Sequence, residues 1–120
     1  VDDSKTIRLI IRGIIETLGY EPLEADCGAT AMRMLGESSE GVALVLLDWN
    51  MPGMNGLEVL QAIKGDDGLK DIPVMMVTTE AEKSNIVTAI QSGASNYLTK
   101  PFVQEDLAAK IMECLGMGGI

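Results

Sequence analysis

Two continuous apolar runs constrain the fold of this chain most strongly. Residues 43–48 read ALVLLD and residues 73–79 read PVMMVTT. Both have the length of a strand, and a run that is apolar at consecutive positions is typical of a strand buried on both faces of a parallel sheet. Both also end in polar side chains, which need water, a proton or a charged partner. The runs therefore predict a covered sheet with polar groups along one edge.

Segments with the helical spacing of apolar residues lie around these runs. They predict helices near residues 5–18, 29–35, 57–63, 86–90 and 107–115. Ser4 is the expected N-cap of the first helix, and Gly19, Gly36 and Gly93 are expected stop signals. Alternation of strands and helices favours a parallel sheet with helices on both faces.

Shorter segments complete this reading. Residues 20–26 (YEPLEAD) and 96–101 (NYLTKP) are candidate strands, the former weakened by Pro22 and the latter halted by Pro101. Residues 65–71 (GDDGLKD) read as a polar surface loop, and residues 116–120 as a frayed tail. Only Val1 precedes the acidic pair at positions 2 and 3. We therefore expect the first strand to be mostly missing from this chain, with its apolar residues upstream in the intact protein or a strand supplied from elsewhere.

Composition excludes several classes of function. A chain of 120 residues suits one domain, spanning 1–120, and its formal charge of −9 argues against nucleic-acid binding through this domain. No apolar run or leader predicts membrane insertion or secretion. Histidine is absent, which removes the usual general base and most zinc sites. Cys27 and Cys114 lie far apart and outside metal-binding patterns, as expected of thiols in a reducing cytoplasm.

Polar residues at the predicted strand ends carry the chemistry. Parallel strands place their carboxyl ends at one edge, so Asp48, Thr78 and Lys100 should meet there, beside Asp2 and Asp3. Three carboxylates need a compensating cation, and an all-oxygen cluster with few protein ligands suits Mg²⁺. Asp48 could act as a nucleophile that forms an acyl phosphate, steadied by the lysine and the threonine hydroxyl.

Plainer structural roles remain open at this point. Asp2 and Asp3 could simply cap the first helix. Lys100 could form a structural salt bridge, Thr78 could serve its strand, and Tyr97 could be an ordinary aromatic side chain on an edge strand.

Four stretches resemble the receiver domains of two-component response regulators. They are VDDS, LLDWNMPGMNGLEVL, VMMVTTEAEKSNI and GASNYLTKPF. The resemblance covers essentially the whole chain apart from the first strand, and the free-standing chemotaxis type is the most similar. It implies an α/β, flavodoxin-like, doubly wound sheet of five parallel strands in the order 2-1-3-4-5, with helices on both faces.

The resemblance also implies a function and a set of site residues. Asp48 would accept a phosphoryl group from a histidine kinase. Mg²⁺ would be bound by Asp3, Asp48 and the backbone carbonyl of Asn50, and by Asp2 through water. Lys100 would pair with the phosphate or with the phosphoacceptor, and Thr78 and Tyr97 would form the switch. Asn50 and Glu80 occupy the two places that tune hydrolysis in this family, and Thr79 occupies a place that can affect access to the phosphate.

Such a protein is a cytoplasmic signalling switch and not an enzyme, because it catalyses only its own phosphorylation and dephosphorylation. Its partner face would be the helix from about Glu82, the strand holding Tyr97 and the last helix, and a flagellar switch component is one expected target. One alternative is the receiver of a larger regulator with an output domain. Others are an Mg²⁺-dependent aspartyl phosphatase, disfavoured because Asn50 stands where a second acid is usual, and a flavin- or nucleotide-binding module, disfavoured by the acidic DDSKT turn.

Overall fold

The computed structural model describes residues 1–116, except for the side chain of Ser39; residues 117–120 of the predicted frayed tail lie outside the described residues. Helices and strands alternate along the described chain. In order they are α1 (Lys5–Thr17), α2 (Gly28–Ser38), β1 (Val45–Leu47), α3 (Gly56–Lys64), β2 (Val74–Thr78), α4 (Lys83–Gln91), β3 (Asn96–Thr99) and α5 (Gln104–Cys114), with a 3₁₀ turn at Ser39–Gly41.

The three strands form a parallel sheet in the order β1-β2-β3. Every residue of β1 and β2 is buried, as the continuous apolar runs predict. Leu47 and Met76 face a core shared with α2, α3 and α4, whereas Leu46 and Met75 face α1 and α5. Successive strand side chains thus enter two separate cores, and the predicted layering of helices on both faces is confirmed.

The helix ends test the predicted start and stop signals. The Ser4 hydroxyl accepts a hydrogen bond from the Ile7 amide at 3.3 Å, which confirms the N-cap. Gly19 and Gly93 adopt φ values of 89° and 112°, which residues other than glycine rarely reach. The predicted end of α2 near Gly36 is two residues early, because the helix continues to Ser38. An internal glycine costs a helix only about 1 kcal/mol, which the burial of other α2 side chains offsets.

The described residues contain no strand ahead of β1, as the sequence led us to expect, but Val1 and Asp2 make main-chain hydrogen bonds to the segments on either side. The Asp48 amide donates to the Val1 carbonyl at 3.0 Å, and the Asp2 amide donates to the Ala25 carbonyl at 3.1 Å. Residues 20–26 form no strand, contrary to the sequence prediction: among the main-chain hydrogen bonds of residues 1–116, the bond from Asp2 is the one that joins this segment to a neighbouring extended chain. A cavity of about 250 Å³ lies between residues 20–25 and 41–48.

Two further sequence predictions concern the surface and membranes. The segment 65–71 is a surface loop in which the Asp66 carboxylate accepts from the Gly68 amide at 2.8 Å and only Leu69 is buried. Within residues 1–116, every helix is too short or too polar to span a bilayer.

Candidate functional site

The carboxyl edge of the sheet brings together residues from four parts of the chain. Asp48 follows β1 directly, Thr78 ends β2, and Lys100 follows β3. The parallel register aligns these ends, since Leu47 pairs with Met76 and Thr78 pairs with Thr99. The sequence prediction that these side chains share one edge is therefore confirmed by the register of the strands.

Three carboxylates form an acidic cluster at this edge. Oxygen atoms of Asp2, Asp3 and Asp48 all lie within 4.8 Å of one another. Asp2 and Asp48 are buried, with 3% and 5% of their surface exposed, whereas Asp3 is exposed. Two carboxylates about 5 Å apart repel by roughly 3 kcal/mol at an effective dielectric constant of about 20. Such an arrangement favours a bound cation.

Lys100 is the cation that the structure supplies to this cluster. Its ammonium lies 2.5 Å from Oδ2 of Asp2 and 3.2 Å from Oδ2 of Asp48. Burial alone would lower the pKa of Lys100, but its hydrogen bonds to the two aspartates and their charges outweigh burial and raise the pKa. A single ammonium leaves three carboxylates with an excess of negative charge, and their oxygens match the ligands that Mg²⁺ prefers.

The loop after β1 holds Asp48 tightly against the start of α3. The Asn50 amide donates to Oδ1 of Asp48 at 3.2 Å, and the Gly56 amide donates to the Trp49 carbonyl at 2.9 Å. A Cβ atom at position 56 would collide with the Asp48 carbonyl oxygen and lie 2.7 Å from the Cα of Trp49. Asn55 and Glu58 form a capping box that begins α3 at this point. Glycine at position 56 is therefore required by the close approach of two main-chain segments.

Thr78 and Tyr97 both bond to the main chain of Glu80. The Thr78 hydroxyl, in a fully buried residue, accepts from the Glu80 amide at 3.2 Å. The Tyr97 hydroxyl donates to the Glu80 carbonyl at 2.6 Å. Burial, followed by the negative charges of Glu80 and Asp48, raises the pKa of Tyr97 to about 12. The two predicted switch residues are thus joined through one residue of the intervening loop.

The remaining predicted residues lie on the rim of the site. The Asn50 side-chain amide donates to the Thr79 hydroxyl at 3.1 Å. The Glu80 carboxylate accepts from the Glu82 amide at 3.0 Å, at the start of α4. The structure therefore brings Asn50 to Thr79, while the Glu80 carboxylate is bonded to the main chain that leads into α4.

Sequence reasoning missed three of these relationships. It paired Lys100 with Asp48 and the phosphate, but not with Asp2. It did not identify the bond between Asn50 and Thr79, or the collision that excludes a side chain at position 56. Only the last had a signal in the sequence, a glycine that begins a helix directly after a Pro- and Gly-bearing loop.

The chain is similar to known proteins over nearly its whole length. The family model described as "Response regulator receiver domain" matches residues 1–112. The "Chemotaxis protein CheY homolog" of Campylobacter jejuni subsp. jejuni is 41% identical over 119 residues, which cover 98% of this chain and 91% of that protein. "Chemotaxis protein CheY1" of Helicobacter pylori is 42% identical over 117 residues, which cover 97% and 94%.

Solved structures have the same architecture. The chemotaxis protein CheY4 of Vibrio cholerae superposes with a TM-score of 0.87 at 30% identity, covering 95% of this chain and 93% of that one. The Mn²⁺-bound form of response regulator Rcp1 superposes with a TM-score of 0.81 at 29% identity, covering 100% and 93%. These similarities confirm the flavodoxin-like fold predicted from the sequence, of which the described residues form three parallel strands.

Proposed function

The chain belongs to the response regulator receiver domain family, and we propose that Asp48 is the residue through which it receives a phosphoryl group. The protein is a phosphorylation-activated signalling switch of the chemotaxis type and not an enzyme with an external substrate. The observation that carries the assignment of Asp48 is its position, buried at the end of β1 and 3.2 Å from the Lys100 ammonium, with other carboxylate oxygens within 4.8 Å.

A divalent cation belongs to this site, and we propose that it is Mg²⁺. Asp3, Asp48 and the backbone carbonyl of Asn50 would hold it, with Asp2 acting through water. This assignment rests on the all-oxygen donor set and the excess negative charge of the cluster. When bound, the ion supplies positive charge to the oxygens of the transferring phosphoryl group.

The reaction needs no general base, because an ionised carboxylate is already nucleophilic. An oxygen of Asp48 forms a bond to phosphorus, and the bond from phosphorus to the histidine nitrogen of the kinase breaks, with its electron pair staying on that nitrogen. Lys100 offers an ammonium to the developing negative charge. This role for Lys100 is supported by its position between Asp2 and Asp48.

Switching would begin at Thr78, which lies beside the new charge. A phospho side chain adds roughly −1.5 to −2 charges and strong acceptor oxygens. The Thr78 hydroxyl accepts from the Glu80 amide and still has its own proton to donate to these oxygens, so a movement of Thr78 towards the new charge would also move or weaken its bond with Glu80. The Glu80 carbonyl is the partner of Tyr97, so the change reaches the face formed by α4, β3 and α5. Typical coupling free energies of about 1–3 kcal/mol would alter partner affinity by roughly 5- to 150-fold.

The partners follow from the family. A histidine kinase donates the phosphoryl group, and a downstream protein binds the face formed by α4, β3 and α5. We propose that this downstream protein is a component of the flagellar switch and that the protein acts in the cytoplasm. The match to the receiver-domain family and the similarity to chemotaxis proteins do not favour the phosphatase or the flavin-binding alternative. Asn50 occupies the position where an aspartyl phosphatase usually carries a second acid.

Phosphoryl uptake from acetyl phosphate tests the proposal. The wild-type chain, incubated with the donor and MgCl₂, should gain one phosphoryl group by mass spectrometry, and hydroxylamine should release it because acyl phosphates are labile to that nucleophile. Asp48→Asn should gain none. Asp67→Asn is the matched control, since the Asp67 side chain is fully exposed in the surface loop. Undiminished uptake by Asp48→Asn would overturn the assignment.

A further inference from the structure

The strand β3 lies at one end of the sheet, and within residues 1–116 no strand pairs with its outer side. Directly after β3, the Lys100 amide donates to the Thr78 carbonyl of β2 at 2.8 Å. Because main-chain groups of a strand point to alternate sides at successive residues, the amide three positions earlier, that of Tyr97, faces away from β2. An unpaired amide on such an edge is a template on which another chain can pair.

The side chain of Asn96 covers this outward amide. Its Oδ1 accepts a hydrogen bond from the Tyr97 amide at 2.9 Å. Two side chains of α5 hold the Asn96 side chain in this position. Its Nδ2 donates to the Glu113 carboxylate at 2.9 Å, and the Lys110 ammonium lies 3.5 Å from its Oδ1. The edge amide is therefore satisfied within the chain, by a side chain that α5 anchors.

We propose that Asn96 closes the free edge of β3 against strand addition by a second copy of this chain. A second copy is the expected occupant because it carries the same edge, and two identical edges related by a two-fold axis are self-complementary. The strand itself favours such pairing. Tyr97 and Thr99 are of the aromatic and β-branched types that prefer strands, and every residue of β3 is only half-buried. Asn96 thus keeps a pairing-competent edge closed.

Amide hydrogen exchange of Tyr97, followed by NMR, tests whether the Asn96 side chain covers the edge. Asn96→Ala removes the acceptor, so in dilute solution the Tyr97 amide should exchange about two- to tenfold faster, the factor that corresponds to one neutral hydrogen bond. Asn96→Asp keeps an oxygen acceptor and should keep the amide slow. Ser95→Ala is the matched control, since Ser95 is exposed directly before β3 and its side chain makes none of the hydrogen bonds found in residues 1–116. Equal exchange in the wild type and Asn96→Ala would refute the proposal.

Sedimentation velocity over a concentration series tests the consequence for association. At an ionic strength that screens the formal charge of −9, Asn96→Ala should form dimers at concentrations at which the wild type and Ser95→Ala remain monomeric. In the dimer, exchange of the Tyr97 amide should slow again, because a carbonyl of the second copy replaces the lost acceptor. The proposal fails if Asn96→Ala stays monomeric at every soluble concentration. It also fails if dimers form while the Tyr97 amide remains fast, because association then uses another surface.

A double-mutant cycle tests the part that α5 plays. Glu113→Ala releases the Asn96 side-chain amide but leaves its Oδ1, so exchange of the Tyr97 amide should rise less than in Asn96→Ala. In an Asn96→Ala background, Glu113→Ala should cause no further change. An equal acceleration in both backgrounds would show that Glu113 does not act through Asn96. All these measurements use the unphosphorylated chain, so their failure is independent of the function proposed for Asp48.

Discussion

Lys100 and Asp2 form an ion pair of 2.5 Å although 98 residues separate them in sequence. The same ammonium lies 3.2 Å from Asp48, and all three side chains are at most 10% exposed. Lys100 therefore compensates two buried carboxylates that no other cation contacts among the hydrogen bonds and ion pairs of residues 1–116. This contact links the beginning of the described chain to the segment that follows β3.

Removal of the Lys100 charge should destabilise the protein strongly. Lys100→Met leaves two buried carboxylates uncompensated, and breaking a buried pair in this way typically costs about 3–5 kcal/mol. The free energy of unfolding, measured by urea titration without divalent metal, should fall by that amount, and MgCl₂ should restore part of it. Lys70→Met is the matched control, since it removes an exposed pair to Asp67 that is worth about 0–1 kcal/mol. Similar losses in both variants would contradict this expectation.

Mg²⁺ should stabilise the wild-type chain through the acidic cluster. A ligand at 100 times its Kd adds about 2.7 kcal/mol to the free energy of unfolding. Asp3→Asn removes an exposed carboxylate that we propose as a ligand, so it should weaken Mg²⁺ binding and reduce this gain with little effect on the metal-free fold. Fluorescence of Trp49, the only tryptophan and the neighbour of Asp48, should report the same titration. Asp67→Asn serves as the control, and an unchanged response to Mg²⁺ in Asp3→Asn would exclude Asp3 as a ligand.

Gly56 should tolerate no side chain, in contrast to glycines that face open space. Gly56→Ala forces the Asp48 and Trp49 main chain to move, so we expect a loss of more than about 1 kcal/mol in the free energy of unfolding and a shifted Trp49 emission. A Cβ atom at Gly36 in α2 would have no neighbouring atom within 4 Å. Gly36→Ala should therefore raise the free energy of unfolding by about 0.5–1 kcal/mol, because alanine loses less conformational entropy in a helix than glycine. Chemical denaturation of both variants checks the pair; stabilisation by Gly56→Ala would show that the loop after β1 is not close-packed.

The raised pKa of Tyr97 predicts how the free energy of unfolding changes at alkaline pH. Between its ordinary value of 10.0 and about 12, the unfolded chain loses the phenolic proton while the folded chain keeps it. The free energy of unfolding should therefore fall as pH rises through this range. In a Tyr20→Phe background, tyrosinate absorbance should report a single transition near pH 12. Glu80→Gln should lower the pH of this transition, because the charge of Glu80 is, after burial, the largest cause of the raised pKa.

The control for this titration is Glu82→Gln, which removes an equal charge two positions further along. Because Glu82 is not among the charges that raise the pKa of Tyr97, the transition should keep its position. A Tyr97 transition near its ordinary pKa in the parent protein would show that its hydroxyl is not buried against the Glu80 carbonyl.

Most of the sheet could be predicted from the sequence, because burial on both faces leaves a direct mark on consecutive residues. The runs at 43–48 and 73–79 located β1 and β2. Because the carboxyl ends of parallel strands lie at the same edge of a sheet, Asp48 and Thr78 could be placed together. Residues 20–26 carried a strand-like pattern but form no strand. A strand needs neighbouring backbone along its length, and here that neighbour is only two residues long.

The contacts between side chains of the site were harder to predict. Lys100 had two buried acids within reach, and which one it approached more closely depended on how Val1 and Asp2 enter the sheet. The Asn50 bond to Thr79 depends on the paths of two loops, which residue spacing does not determine. The resemblance to receiver domains implied the contact between Lys100 and Asp48, but it carried no information about the contact of Lys100 with Asp2 or the bond between Asn50 and Thr79.

The contact between Tyr97 and position 80 uses the main chain of Glu80 and not its carboxylate. Any amino acid at position 80 offers the same carbonyl, so the identity of that side chain is free to vary while the aromatic ring keeps its anchor. The hydrogen bond that anchors Tyr97 therefore places no requirement on the chemical nature of the side chain at position 80.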